Sequence, residues 1–267
     1  LDSGSTALDD VHARVAEILE PCRAELDARM PPGLLKRWPG YGIEDWIRTG
    51  PELRWLIGGS EGTLGLITGA TLKLDPLPAR KGLGAISFAS VAEAMQAAVA
   101  LLDLRPAAIE HIDDVLFEQT RGQIAFRQGR ALLRLDEAPC AAILLVEFFG
   151  DVDAPLADLR RRRLGLRTRT FTAADEMEAI WAVRKAGLSL LTGRIGAAKP
   201  VTAIEDTCVR PRDLAEYVAA LMGLLRPLGL EASFYGHAAA GLLHVRPVLD
   251  LHSAEDVKKF RRLGDEV

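Results

Sequence analysis

The sequence predicts an α+β protein, with helices laid over a mixed, mainly antiparallel sheet. Three observations carry this expectation. Strand-like and helix-like segments alternate through short connections, the stretch "HAAAGLLH" reads as a hairpin-like turn between two strands, and no dinucleotide fingerprint opens any helix.

Composition bounds the remaining choices. The chain has 267 residues, 49% of them hydrophobic and 26% charged, which suits a soluble globular core rather than disorder. A net charge of -4 argues against a nucleic-acid partner, which needs a basic surface to displace counterions. The basic run Arg160–Arg163 suits a solvated helix C-terminus. Cys22, Cys140 and Cys208 share no metal-like spacing and cannot all pair, so a reduced, cytoplasmic protein without its own iron–sulfur cluster is expected. The longest apolar run, Cys140–Phe149, is too short for a membrane span, and no signal peptide opens the chain. The start at "LDSGST" and the stop inside a helix-like segment read as an internal fragment.

The elements follow in order. Leu8, Val11, Val15, Ile18, Leu19, Cys22 and Leu26 recur at helical spacing behind a capping box at Thr6 and Asp9, and Pro21 kinks or splits that helix. "PPGLLKRWPGYG" is loop chemistry. From Leu64 to Leu74 apolar and small polar residues alternate, which predicts a half-buried strand. "DPLPARKG" marks a break between two domains, 1–78 and 79–267. Beyond it the pattern predicts strands at 83–88, 107–112, 141–149, 168–171 and 201–206, and helices at 91–102, 113–122, 154–164 and 173–191. A helix opened by Pro211, two strands around "ASFYGHAAAGLLHVRPVL" and a helix from Ala254 complete the order.

Four glycines crowd the stretch "GGSEGTLG" at 58–65. A phosphate-binding P-loop would need a Gly-Lys-Ser/Thr step into a helix, and a dinucleotide fingerprint would need its glycines between strand and helix; neither is present. The residues alone leave two readings. One is a main chain bared for close approach to a ligand, the other a tight turn or bulge.

His237 and His244 are seven residues apart, an odd interval that puts them on opposite faces of an unbroken strand. They converge only if "AAAG" at 238–241 reverses the chain, and both imidazoles could then reach one divalent metal. Hydrogen-bonded core or edge histidines are the plainer alternative. Arg184 falls on an apolar helical stripe with Met177, Ile180, Trp181, Leu188 and Leu191, so it requires an anion: a ligand, or an internal partner such as Glu205 or Asp206.

"LRWLIGGSEGTLGLITGATLKLDPLP" resembles the flavin-contacting segment of the FAD-linked oxidases of the vanillyl-alcohol oxidase superfamily, in the branch of D-lactate, D-2-hydroxyglutarate and glycolate dehydrogenases. "PGYGIEDW", "IWAVRKAGLSLL", "AIEDTCVRPRDLAEYV" and "FYGHAAAGLLHVRPVLDL" continue the resemblance in order, and the version with "EDT" and "GLLHVRP" is similar to large bacterial proteins fused to a C-terminal iron–sulfur region. The resemblance implies the C-terminal part of an FAD-binding domain followed by a ferredoxin-like cap domain. FAD would be contacted by Gly58, Gly59, Ser60, Glu61, Gly62, Thr63, Gly65 and Ile67. It implies a divalent metal of the zinc or manganese/iron type on His237 and His244, and a substrate carboxylate on Arg184 with Arg246 as a second candidate. Any iron–sulfur cluster would lie in a C-terminal region outside this chain.

The implied reaction is oxidation of a small 2-hydroxyacid, of the D-lactate or D-2-hydroxyglutarate type, to the 2-oxoacid. The electron acceptor and any homo-oligomer are left unidentified, and an acceptor could bring the protein to the inner membrane peripherally. The pattern is not kept everywhere. Ala240 and Leu242 replace polar residues, Arg246 stands where relatives carry asparagine, Leu188 replaces a threonine, and Ile204 takes the place of a carboxylate-binding lysine for which Lys199 could substitute. The residues themselves also admit two rivals: a non-catalytic ferredoxin-like binding module, and a metal-dependent hydrolase using His237 and His244 with Glu205 or Asp206.

Overall fold

The computed structural model describes residues 6–30, 32–36, 40–202 and 204–267, and the chain divides into two compact units. The first comprises 1–33 and 37–76; the second comprises 34–36 and 77–267.

Within the first unit, α1 (Thr6–Leu19) and α2 (Arg23–Arg29) are separated by a 3-10 turn at Glu20–Cys22, so Pro21 splits the predicted helix. The α1 helix begins at Thr6 itself, and the Thr6 side chain of the predicted capping box lies outside the described residues. Two further helices, α3 (Ile43–Thr49) and α4 (Leu53–Gly58), were not expected from the sequence. At seven and six residues they are too short to show a helical period. Their buried Trp46, Ile47, Leu53 and Leu56 pack with Leu19, Val15 and Leu26 into a small core.

The expected strand at 64–74 does not form. Among the described residues no strand pairs with it, and its apolar side chains stand in solvent, Leu66 at 90% and Leu74 at 84% exposure. Alternation prepares a segment for a sheet, but a strand exists only where a neighbour supplies ladder hydrogen bonds.

The second unit is one antiparallel sheet between two layers of helices. Its elements are β1 (Lys81–Phe88), α5 (Val91–Ala100), β2 (Ala108–Asp113), α6 (Asp114–Phe117), α7 (Arg127–Leu133), β3 (Ala142–Phe149), α8 (Asp153–Arg162) and β4 (Arg167–Phe171). They continue with α9 (Ala174–Lys185), α10 (Gly187–Thr192), β5 (Lys199–Pro200), β6 (Ile204–Cys208), α11 (Leu214–Leu225), β7 (Ala232–His237), β8 (Leu242–Leu249) and α12 (Ala254–Glu266). The strand order is β4-β1-β3-β2-β7-β8-β5, with β6 also paired to β8, and every pairing is antiparallel. The sheet is therefore not mixed.

Both faces of the sheet are covered. One carries Ile86, Ile109, Leu144, Val146, Phe234 and Val245 against α5, α8 and α11; the other carries Leu83, Ile112, Ile143, Leu145 and Tyr235 against α6, α7, α9 and α10. Burial on both sides explains why β3, "AILLVEFF", lacks an apolar-polar alternation. The helix expected at 173–191 is broken after Lys185, with Gly187 opening α10 where a Cβ would meet Leu116 Cδ1 at 2.8 Å. The helix expected at 113–122 is one turn of α6 followed by a 3-10 turn at Glu118–Thr120. The strand expected at 201–206 forms only in its second half, as the start of β6 (Ile204–Cys208), with the two-residue β5 preceding it.

Candidate functional site

The reversal between the two histidines is real. A 3-10 turn at Ala238–Ala240 ends on Gly241 in the left-handed region at φ 72°, where a Cβ would fall on the Val209 carbonyl oxygen. This hairpin pairs Tyr235 with His244 and His237 with Leu242, so the odd interval is absorbed and both imidazoles share one sheet face. Their ring centroids lie 5.5 Å apart, nearly perpendicular, and the Tyr235 ring is 4.9 Å from His244.

Arg184 reaches the same face from α9. Its anionic partner is Glu110 of β2, with Nη2 at 2.7 Å and Nε at 2.9 Å from Oε2, rather than the Glu205 or Asp206 considered from sequence. Glu110 stands opposite His237 in the β2·β7 register, and its Oε1 lies 2.6 Å from His237 Nδ1. Two guanidinium groups lie over the Tyr235 ring, Arg184 at 5.2 Å and Arg246 at 5.5 Å from its centroid. Arg246 is 2% exposed; its Nε donates to the Tyr235 hydroxyl at 2.6 Å and its Nη2 pairs with Glu205 at 2.9 Å, while Nη1 is buried with no hydrogen-bond partner among the described residues.

A bulge in β6 completes the cluster. Ile204 pairs with Val245 and Thr207 with Leu243, and the register shift between them is taken up by Asp206 at φ 53°. Glu205 and Asp206 consequently stand together at His244, with carboxylate oxygens 3.0 and 2.8 Å from Nδ1. Nδ1 is nevertheless buried without a well-formed hydrogen bond among the described residues. Burial holds the His244 imidazole below its ordinary pKa, against the upward pull of Glu205 and Asp206.

A neutral imidazole and two carboxylates whose ligand atoms all lie within 4.8 Å of one another form a donor set suited to a divalent cation of the zinc or manganese/iron class. Counting guanidiniums and carboxylates, Arg184 and Arg246 against Glu110, Glu205 and Asp206 leave one negative charge, which a divalent cation would reverse. The residues fit a cation.

Other candidates lie elsewhere. Lys199 donates its Nζ to the Arg194 carbonyl, and Ile204 is buried in the core on the opposite sheet face. The Leu188 side chain lies outside the described residues. Glu110 and Tyr235 were missed by the sequence reading. The available signal was a carboxylate inside the buried strand "AIEHID", a residue type rarely buried without a partner.

In the first unit the glycine stretch follows a helix, α4, rather than feeding a strand. Gly59 packs so closely that a Cβ would fall on the Gly40 carbonyl oxygen. Ser60 is buried and bonds its Oγ to the Ile57 carbonyl at 2.9 Å. Glu61 and Gly62 are both left-handed, at φ 47° and 81°, and Thr63 Oγ1 is fixed by Ser60 O at 2.6 Å and the Tyr41 hydroxyl at 2.8 Å. Among the described residues nothing lies within 4 Å of where a Cβ would stand at Gly58, Gly62 or Gly65, and residues 61–67, Ile67 among them, are exposed. This bared main chain fits close approach of a flat cofactor such as FAD.

No helix among the described residues is long and apolar enough to cross a membrane. The chain is 32% identical over 231 residues to the D-2-hydroxyglutarate dehydrogenase of Escherichia coli (strain K12), covering 81% of this chain and 23% of that protein. It is 30% identical over 274 residues to that of Haemophilus influenzae, covering 96% and 27%, and 30% identical to the D-lactate dehydrogenase of Archaeoglobus fulgidus, covering 75% and 43%. The chain thus spans about a quarter of the length of the D-2-hydroxyglutarate dehydrogenases it matches. Among solved structures, alkyldihydroxyacetonephosphate synthase superposes with a TM-score of 0.51 at 15% identity, over 78% of this chain and 42% of that one, a likeness of fold. Residues 77–267 match the model of the FAD linked oxidases, C-terminal domain, and the chain belongs to that family.

Proposed function

We propose that this chain is part of an FAD-dependent dehydrogenase that oxidises a 2-hydroxyacid to the 2-oxoacid, with residues 1–78 the end of the FAD-binding domain and 79–267 the substrate-binding cap. The observation that carries this reading is the convergence of Arg184, Arg246, His237 and His244 on one sheet face. Relatives named as D-2-hydroxyglutarate and D-lactate dehydrogenases support the substrate class.

FAD, when bound along Gly58–Ile67, supplies the hydride acceptor. A divalent cation held by His237 and His244 with Asp206 or Glu205 would lower the cost of removing the substrate's hydroxyl proton. The chain's own residues do the holding. Arg184 spends Nε and Nη2 on Glu110 and keeps Nη1 for a substrate carboxylate, a geometry in which a planar guanidinium excels. Burial disfavours the charged form of His244, which favours an imidazole with a nitrogen lone pair available to a cation. Arg246, locked by Tyr235 and Glu205, places a fixed positive charge beside the same face.

The test is anaerobic flavin reduction in the full-length polypeptide carrying this chain, with D- and L-2-hydroxyglutarate, lactate and glycolate. Bleaching of the visible flavin band by one of these acids is expected. A bound flavin that none of them bleaches would refute the activity.

A further inference from the structure

One carboxylate serves both arms of the site. Glu110 is 11% exposed, and its two oxygens are divided: Oε1 lies 2.6 Å from His237 Nδ1, while Oε2 takes Nε and Nη2 of Arg184 at 2.9 and 2.7 Å. We propose that Glu110 is a positioning residue that fixes the tautomer of His237 and the plane of Arg184 together, so that the cation-holding and carboxylate-holding arms are set by a single side chain. This rests on the reading of those two arms given under the proposed function.

The argument begins with the donor inventory. An ionised carboxylate only accepts, so the 2.6 Å contact requires the proton on His237 Nδ1. Nε2 is then left with its lone pair, the nitrogen that can ligate a cation. His237 is 43% exposed on its side chain and would otherwise be free to populate both tautomers. A carboxylate behind a ligating imidazole both orients the ring and raises its basicity.

The other oxygen acts on Arg184 in the same way. Two donors on one oxygen, with the guanidinium lying over the Tyr235 ring at 5.2 Å, hold the group in one plane and leave Nη1 without a hydrogen bond among the described residues. The register supplies the reason for this sharing. Glu110 faces His237 directly across β2 and β7, and α9 lays Arg184 over that same point.

The experiment uses this chain labelled with nitrogen-15. Two-bond proton–nitrogen spectra report the His237 tautomer, and calorimetric titration with zinc reports cation affinity. Removing Glu110 alone would strand the buried Arg184 charge, so two double variants are compared: Glu110→Gln with Arg184→Met, and Glu110→Ala with Arg184→Met. Both remove the ion pair, but only glutamine can still accept the Nδ1 proton.

Wild-type His237 is expected to carry its proton on Nδ1 and to keep it there in the glutamine variant, with zinc binding close to wild type. The alanine variant is expected to mix tautomers and to bind zinc about 10- to 100-fold more weakly. A wild-type His237 protonated on Nε2 overturns the proposal, as does zinc binding of equal strength in all three proteins. If the alanine variant does not fold, the wild-type and glutamine spectra decide by the same criterion. If the wild type binds no zinc at all, the cation reading of the site falls instead, and Glu110 is then judged by tautomer alone: identical His237 spectra in all three proteins overturn it.

Discussion

Glu205 and Asp206 are consecutive residues of one strand, yet both carboxylates stand beside Nδ1 of His244, at 3.0 and 2.8 Å. In a regular strand neighbours point to opposite faces. The left-handed conformation of Asp206, at φ 53° within the β6 bulge, breaks that rule and doubles the negative charge at one imidazole. Aspartate tolerates this region where a β-branched residue does not.

Asp206→Asn therefore separates charge from conformation. Asparagine accepts the left-handed region, so the unit should keep its stability while zinc binding weakens by about tenfold or more, as expected when a charged ligand is lost. Asp206→Val should instead cost about 1–2 kcal/mol of folding stability from the forced φ. Calorimetry and urea denaturation distinguish the two. An asparagine variant binding zinc like the wild type would remove Asp206 from the ligand set.

Gly241 is the pivot that lets His237 and His244 meet. Alanine there would meet both a left-handed φ of 72° and the Val209 carbonyl, and should destabilise the second unit by roughly 2 kcal/mol or more. Gly223 is the contrasting case, exposed in the last turn of α11 with open space at its Cβ position. Gly223→Ala should stabilise by roughly 0.5–1 kcal/mol. Opposite shifts of the denaturation midpoint are the check, and a Gly241→Ala protein as stable as wild type would show that the turn has room to relax.

Arg184→Lys keeps the charge facing Glu110 but loses the planar fork. In the full-length enzyme the KM for the hydroxyacid should rise by about 10- to 100-fold, the cost of one hydrogen bond to a charged group, with kcat changed less. A variant with unchanged KM would show that Nη1 does not meet substrate.

The parts of this architecture that local chemistry dictates were legible in the chain. The strand pair around the "AAAG" turn, the split at Pro21 and the α9 part of the stripe bearing Arg184, Met177, Ile180 and Trp181, each follow from spacings of a few residues. What could not be read depends on distant partners. Arg184 finds Glu110 across 74 residues and His237 finds it across 127, separations at which no periodicity survives. The stretch from Leu64 to Leu74 carries the alternation of a strand, but pattern specifies a face and not a neighbour, and no neighbour pairs with it among the described residues. Asp206 inverts the usual inference, because a bulge defeats the alternation by which its side would be assigned.

The second unit also buries two titratable groups on β2 whose effects on stability oppose each other. His111 has no exposed surface, and neither ring nitrogen has a well-formed hydrogen bond among the described residues; burial, helped by the nearby Arg184 charge and weakly opposed by the Phe234 backbone, holds its pKa at about 3 instead of 6.5. Asp113 accepts from the Ser233 hydroxyl at 2.8 Å, the Leu116 amide at 3.0 Å and the Phe234 amide, yet burial pushes it up to about 7 from 3.8. Between pH 6.5 and 3 the unfolded chain binds a proton at His111 that the folded chain refuses, so this term removes stability as pH falls. Between pH 3.8 and 7 the folded chain keeps a proton at Asp113 that the unfolded chain has released, so this term removes stability as pH rises. From pH 3.8 to 6.5 the two slopes cancel. Asp113→Asn should expose the histidine term, losing roughly 1.4 kcal/mol per pH unit on acidification relative to wild type. His111→Leu should expose the aspartate term and gain relative stability over the same range. Urea denaturation at several pH values checks both, and parallel pH curves for the wild type and the two variants would show that neither buried group keeps its shifted proton equilibrium.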